Sequence, residues 1–220
     1  MTKTRKNDFV EIEFTGTTNG QVFDTTNSEE AKKSGLGDDS LKDRFKPMRL
    51  CIGQEMILKS IDKALEDKEI DQEFSLDLKE KEAYGKRQTN LVKTVPLTAF
   101  QEMPQRGMFV NVNGMVAKVI SISSGRVIID MNHPLAGKDL HYKIKILKII
   151  EDKLEKVKVI TEFFGINSES VFLENEKVLI KIKTPELIQN QVKKKLKDIL
   201  SLETEFKEVK KEKLEDTLKK

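Results

Sequence analysis

The chain has 220 residues, a length suited to one or two domains. Lys and Arg number 40 against 37 Asp and Glu, giving a net charge of +3 with 35% charged and 37% hydrophobic residues. This near-neutral total argues against a nucleic-acid protein, and the high charged fraction favours several small cores over one large one.

The first element runs from Phe9 to Phe14, where Val10, Ile12 and Phe14 alternate with Glu11 and Glu13, the period of a half-buried strand. Asn19-Gly20 is a hairpin signal returning into Gln21-Val22-Phe23. The polar stretch from Thr25 to Arg44 reads as a long loop. Met48 to Ile52 is a strand closed by Gly53, and Ile57, Leu58, Ile61 and Leu65 at helical spacing predict a helix over 55–66. Residues 73–79 alternate again, with Phe74, Leu76 and Leu78 on one face. This order describes a compact α+β unit.

The character changes at Gly85. Lys86 to Lys138 carries seven basic residues and two acids, an excess of five positive charges. Hairpin signals at Asn113-Gly114 and Ser124-Gly125 separate strands over 109–112, 115–122 and 126–131, and Pro96 opens one helical turn over 97–103. Leu140, Tyr142, Ile144 and Ile146 then alternate like the first strands and predict a return to the first sheet, which makes the basic segment an inserted domain. Beyond Glu151, Val157, Ile160 and Phe164 mark a helix ended by Gly165. A hairpin over 171–183, a helix opened by Pro185 with Ile188, Val192, Leu196 and Ile199 on one face, and a strand over 202–206 complete the chain before a charged tail. About 70 residues make a marginal core, so docking or homodimerisation through this C-terminal domain fits its size.

No run of about 18 apolar residues is present, so no membrane span is expected. The basic start lacks an apolar region behind it and does not read as a signal peptide; a soluble, cytoplasmic protein is expected. Phosphate-binding glycine loops, nucleophile elbows and HExxH are absent. Cys51 sits in an apolar strand and reads as a buried structural thiol, and His133 and His141 make a weak metal pair, so no metal site is assigned. The acids read as mostly solvated. Asp24 is either a turn aspartate or a site residue, and Tyr84 in Ala83-Tyr84-Gly85 is by itself a packed tyrosine. The basic run Lys193–Lys197 reads as a solvated helix face.

Four segments in order carry a resemblance. They are Phe14-Thr15-Gly16 with Val22-Phe23-Asp24-Thr25, Lys46 to Gly53 (KPMRLCIG), Gln54 to Ile61 (QEMILKSI), and Ala83-Tyr84-Gly85-Lys86-Arg87. Together, over roughly residues 8–150, they resemble the FKBP-type peptidyl-prolyl cis-trans isomerase domain. The insertion after Ala83-Tyr84-Gly85, returning through Asn132 to Lys138 (NHPLAGK), is similar to the insert-in-flap arrangement of SlyD-like members, and the C-terminal addition resembles that of long archaeal relatives.

The resemblance implies a bent antiparallel sheet with a short helix. The implied domains are residues 1–86 with 138–151 (isomerase), 87–137 (insert-in-flap) and 152–220 (a C-terminal α+β domain). It implies an apolar pocket in which Phe14 takes a place usually held by tyrosine, Phe23 forms a second wall and Asp24 lies at the edge. Met48 matches an aromatic position, Ile57 and Leu58 line the side with the Leu58 N–H offered to substrate, and Ile61 is an aliphatic floor where many relatives carry tryptophan. Tyr84 would donate its hydroxyl, and Tyr142 would close the pocket in place of phenylalanine. Asp24, Leu58 and Tyr84 are thus the implied catalytic set.

The implied partners are unfolded or nascent polypeptides containing proline, with neither nucleic acid nor membrane, and the reaction needs no cofactor. In the insert, Met103, Met108 and Phe109 would bind client, whereas the residues alone favour Phe109 and Met115 as part of the insert's own core. A holdase or assembly module with a vestigial pocket is the alternative, motivated by Phe14, Met48 and Ile61.

Overall fold

The computed structural model describes residues 3–37 and 45–207, which form an α+β fold of mixed helices and sheets. Two compact units divide the chain. One takes the residues through Gly16, Val22–Leu76, and Tyr142 onward; the other takes Thr17–Gln21 and Asp77–His141. In chain order the elements are β1 (Phe9–Thr18), β2 (Gln21–Thr25), α1 (Ser28–Lys33), β3 (Met48–Cys51), α2 (Lys59–Ala64) and β4 (Glu73–Leu78). Then come β5 (Val92–Pro96), β6 (Phe109–Val112), β7 (Met115–Ser123), β8 (Arg126–Asp130) and β9 (Leu140–Ile149). The last are α3 (Lys153–Phe163), β10 (Val171–Glu174), β11 (Lys177–Ile180), α4 (Glu186–Leu200) and β12 (Glu203–Phe206).

The main sheet has the order β2-β1-β9-β4, and β3 pairs antiparallel with the start of β1, from Phe9 opposite Cys51 to Ile12 opposite Met48. The alternation in β1 and β9 turns Val10, Ile12, Ile144 and Ile146 inward, and with Leu50, Ile52, Ile61 and Leu65 they are fully buried core.

Two local expectations change. The stretch after Thr25 is not all loop: Asn27 caps α1 by accepting from the Glu29 and Glu30 N–H groups at 2.9 and 3.1 Å, with acids in the first turn and lysines in the last. Residues 38–44 of that stretch lie outside the described residues. The helix expected over 55–66 spans only Lys59–Ala64, because Gly53 and Glu55 hold φ of 80° and 53° and their N–H groups go to a side chain instead of a helix.

The basic segment forms an antiparallel sheet of order β5-β8-β7-β6. Its two tight turns place Asn113-Gly114 and Ser124-Gly125 at positive φ, as the right-handed twist of a hairpin requires. Ala117, Val119, Val127 and Ile129 make its core, with Val95, Leu97, Phe100, Val110, Val112 and Met131 packed against it. Phe109 and Met115, favoured on the residues alone as core, are instead 55% and 52% exposed. Alternation on β6 spends its inward positions on Val110 and Val112, which turns Phe109 out, and Met115 stands at the hairpin tip beyond the core.

In the C-terminal region Asp152 caps α3 by accepting from the Glu155 N–H at 2.8 Å, and Gly165 at φ 76° follows the end of that helix. β10 and β11 form a hairpin, and α4 carries the chain to β12, which lies parallel to β11. The charged tail from residue 208 on lies outside the described residues. Among the described residues no helix is long and apolar enough to cross a membrane.

Candidate active site

Three of the expected wall residues come together as an aromatic cluster. Phe23 meets Tyr142 edge-on, with centroids 5.7 Å apart and planes at 90°, and Phe14 meets Tyr142 at 6.0 Å and 59°. Edge-to-face contacts align the positive rim of one ring with the negative face of the next, worth about 0.5–1.5 kcal/mol each beyond area burial. Phe14 and Tyr142 are buried, whereas Phe23 is half-buried and Asp24 beside it is exposed.

Two buried threonines fix this cluster. The Thr26 hydroxyl accepts from the Phe14 N–H at 2.8 Å, and the Thr25 hydroxyl donates to the Phe14 carbonyl at 3.1 Å. The end of β2 is thereby tied to the backbone of Phe14, which sets where Phe23 can stand. Gly16 leaves the space for it: a Cβ there would lie 2.6 Å from Phe23 Cζ and 2.9 Å from Tyr142 Cε1. Gly16 and Thr25 fall within the Phe14–Gly16 and Val22–Thr25 motifs and Thr26 just beyond them, but their roles come from geometry alone.

Ile61 is buried on α2, while Ile57, Leu58 and Met48 are half-buried. Leu58 opens α2, its carbonyl accepting from the Asp62 N–H at 2.9 Å. Asp62, grouped by sequence with the solvated acids, is only 3% exposed. Its two carboxylate oxygens accept from the Gly53 N–H at 2.9 Å and the Glu55 N–H at 2.8 Å. A buried carboxylate thus folds the loop that delivers Ile57 and Leu58, and the buried Met56 sulfur accepts from the Cys51 N–H at 3.4 Å. On the same loop, Gln54 accepts from Lys195 Nζ on α4 at 2.9 Å.

A second tie reaches the strand that bears Met48. Arg49 forks to Glu155 and Glu162 on α3 at 2.6 Å each. Burial opposes the guanidinium charge, but the bonds to Glu162 and Glu155 prevail and raise its pKa. Burial pushes the Cys51 thiol up to about 12, so it stays protonated.

Tyr84 belongs to the second unit. It is 37% exposed and its ring stacks flat on His133, with centroids 3.9 Å apart and planes 6° from parallel. His141 pairs with Asp77 at 2.7 Å. Among the described residues no group of three or more His, Cys, Asp or Glu could hold a metal ion.

The two ends of the basic segment are clamped together. The Gln88 N–H donates to the Asn132 side chain at 2.8 Å, the Asn132 amide returns a bond to the Gln88 carbonyl at 2.9 Å, and the Gly137 N–H reaches the Gly85 carbonyl at 2.7 Å. Asp130 completes the clamp through Arg87 at 2.8 Å and Asn132 at 2.7 Å. Although burial opposes its charge, bonds from the Asn132 backbone and side chain and from Arg87 hold its carboxyl below the usual range. On the far part of this unit Met103, Met108 and Phe109 are 73%, 45% and 55% exposed. An open cavity of about 570 Å³ there is lined by residues that include Phe100, Met108 and Phe109.

Comparison with known proteins follows the same division. The family described as "FKBP26, IF domain" matches residues 93–135. The chain is 28% identical over 145 residues to the short-type peptidyl-prolyl cis-trans isomerase of Methanocaldococcus jannaschii, covering 64% of this chain and 91% of that protein. It is 32% identical over 117 residues to the FKBP-type peptidyl-prolyl cis-trans isomerase SlyD of Haemophilus influenzae, covering 50% and 62%. Against SlyD of Pasteurella multocida it is 27% identical over 117 residues, covering 50% and 59%. The chain therefore spans about three fifths of the length of these SlyD relatives.

Proposed function

We propose, from its similarity to FKBP-type peptidyl-prolyl cis-trans isomerases, that the chain is one of them and accelerates rotation about Xaa-Pro bonds in unfolded or nascent polypeptides. The observation that carries the reading is the trio of Phe14, Phe23 and Tyr142, the last two of which lie over Gly16.

Amide resonance sets a rotation barrier of about 18–20 kcal/mol. A twisted amide has lost conjugation and is less polar than a planar one, so an apolar, water-poor pocket favours it. Phe14, Phe23, Met48, Ile57, Ile61 and Tyr142 grip the prolyl ring. The Leu58 N–H stands at the start of a helix, where amide donors have no intrahelical acceptor, and it bonds a substrate carbonyl. Tyr84 donates its hydroxyl to the flanking backbone, and Asp24 supplies a polar edge. The gain comes from positioning and desolvation, with neither cofactor nor covalent intermediate.

In this reading residues 1–86 with 138–151 are the isomerase, 87–137 bind client, and 152–220 are a C-terminal domain whose α3 and α4 brace the isomerase through Arg49 and Gln54. The insert holds an unfolded chain on Met103, Met108 and Phe109, whose exposure supports this use, and so raises the concentration of prolines at the pocket.

Isomerisation of a proline peptide by the Tyr84→Phe and Asp24→Ala variants tests the pocket; wild-type rates in both would sink the assignment. A second reading, a holdase with a weak pocket, is favoured by that same exposed apolar surface. Comparing chains with and without residues 88–136 separates the two. An isomerase loses turnover on unfolded protein yet keeps it on short peptides. A holdase shows no turnover on either and loses suppression of aggregation.

A further inference from the structure

We propose that His133 is a positioning residue for Tyr84, its neutral imidazole fixing the plane of the phenol that meets substrate. The proposal rests on the isomerase reading above for the role of Tyr84, while the geometry is independent of it. More than a third of the Tyr84 surface is exposed, so a well-packed core does not hold the ring. What lies flat on it is one other ring, His133, at 3.9 Å and 6°.

His133 is itself anchored. Its Nδ1 accepts from the Leu135 N–H at 3.2 Å, and its carbonyl accepts from the Ala136 N–H at 2.9 Å. The Gly137 N–H then bonds the carbonyl of Gly85, the neighbour of Tyr84, at 2.7 Å. That bond ties the two segments together beside the stacked rings, and the local turn holds the imidazole as a platform.

The anchoring sets the protonation state. With Nδ1 accepting, the proton resides on Nε2 and the ring is neutral. Burial lowers the His133 pKa. The neutral form therefore persists until pH falls below the ordinary histidine value of about 6.5. An imidazolium would gain attraction to the phenol face. It would also set an Nδ1–H against the Leu135 N–H, two donors facing each other, and the turn that carries the platform would open.

The test is kcat and KM for a proline peptide from about pH 5 to 8, with His133→Ala and His133→Phe beside the wild type. The Ala variant is expected to lower kcat roughly three- to tenfold at neutral pH, with KM little changed. The Phe variant, which keeps a ring but cannot titrate, should recover most of that loss and abolish the acid fall of the wild type. Wild-type kcat at every pH in the Ala variant overturns the proposal.

Ring NMR of the chain's two tyrosines gives a second readout that needs no turnover. Ring-current shifts at Tyr84 should vanish in His133→Ala and titrate in the wild type; signals indifferent to both overturn it. If the wild type shows no isomerase activity, the functional reading fails and these shifts still decide the positioning.

Discussion

Phe23 stands so close over Gly16 that a Cβ on Gly16 would lie 2.6 Å from its ring, a separation real Cβ atoms do not adopt. The backbone of β1 is thus the surface on which two aromatic rings rest. Gly16→Ala forces Phe23 and Tyr142 outward and is expected to cost about 1–2 kcal/mol of stability as overpacking. It should also lower kcat/KM for a proline peptide by roughly tenfold. Urea midpoints and peptide isomerisation measured on one preparation check both, and a stability loss with unchanged kcat/KM would detach the cluster from the reaction.

Asp62→Asn keeps the shape of the side chain but offers one acceptor where two N–H groups converge. Stability should fall by about 2 kcal/mol, the range for charge-assisted bonds to buried groups. Because the Gly53–Glu55 loop leads directly to Ile57 and Leu58, KM should rise as well. Equilibrium unfolding followed by substrate titration reads out both effects.

Arg49 joins the strand bearing Met48 to α3 through two carboxylates. Arg49→Met should destabilise the chain by about 1–2 kcal/mol, less than a fully buried pair because the carboxylates are partly solvated. Arg49→Lys should recover at most part of this, since an ammonium cannot fork to both glutamates. Limited proteolysis should cut within residues 152–207 first in the Met variant.

The clamp of the insert should be acid-sensitive. Asp130 has a folded-state pKa below the unfolded value, so its contribution is complete above about 3.9, the ordinary aspartate value, and is lost as pH falls through the lower folded one. Protection factors at the Gln88 and Met131 amides, corrected for intrinsic exchange, should therefore fall at low pH in the wild type and be low at all pH values in Asp130→Ala. Equal protection in the two proteins at neutral pH would show that the clamp holds without this carboxylate.

Much of the architecture is legible in the residues. Alternation in β1 and β9, the Asn-Gly and Ser-Gly turns and the periodicity of α4 appear where they are expected, because each depends on a pattern a few residues long. The aromatic trio is reachable only through family resemblance, since Phe14, Phe23 and Tyr142 are far apart in sequence. The roles of Asp62 and His133 escape even that. A carboxylate at a helical position reads as solvated until the chain is seen doubling back over it, and a loop histidine beside Pro134 gives no sign of the ring it covers. β5 is hidden because Val92–Pro96 has little alternation of its own and gains a register only from β8. Phe109 misleads in the other direction: an aromatic in a strand suggests core, and only its phase relative to Val110 turns it outward.

The bonded pair Gln88 and Asn132 makes the chain depart and rejoin at one point. A segment whose ends are already fastened can change length at small cost, because loop closure grows only logarithmically with residue number. The site between them is therefore a natural splice position. An unrelated small domain with neighbouring termini, grafted there, should leave the surrounding sheet intact. Through this one pair of residues the inserted segment becomes exchangeable as a unit.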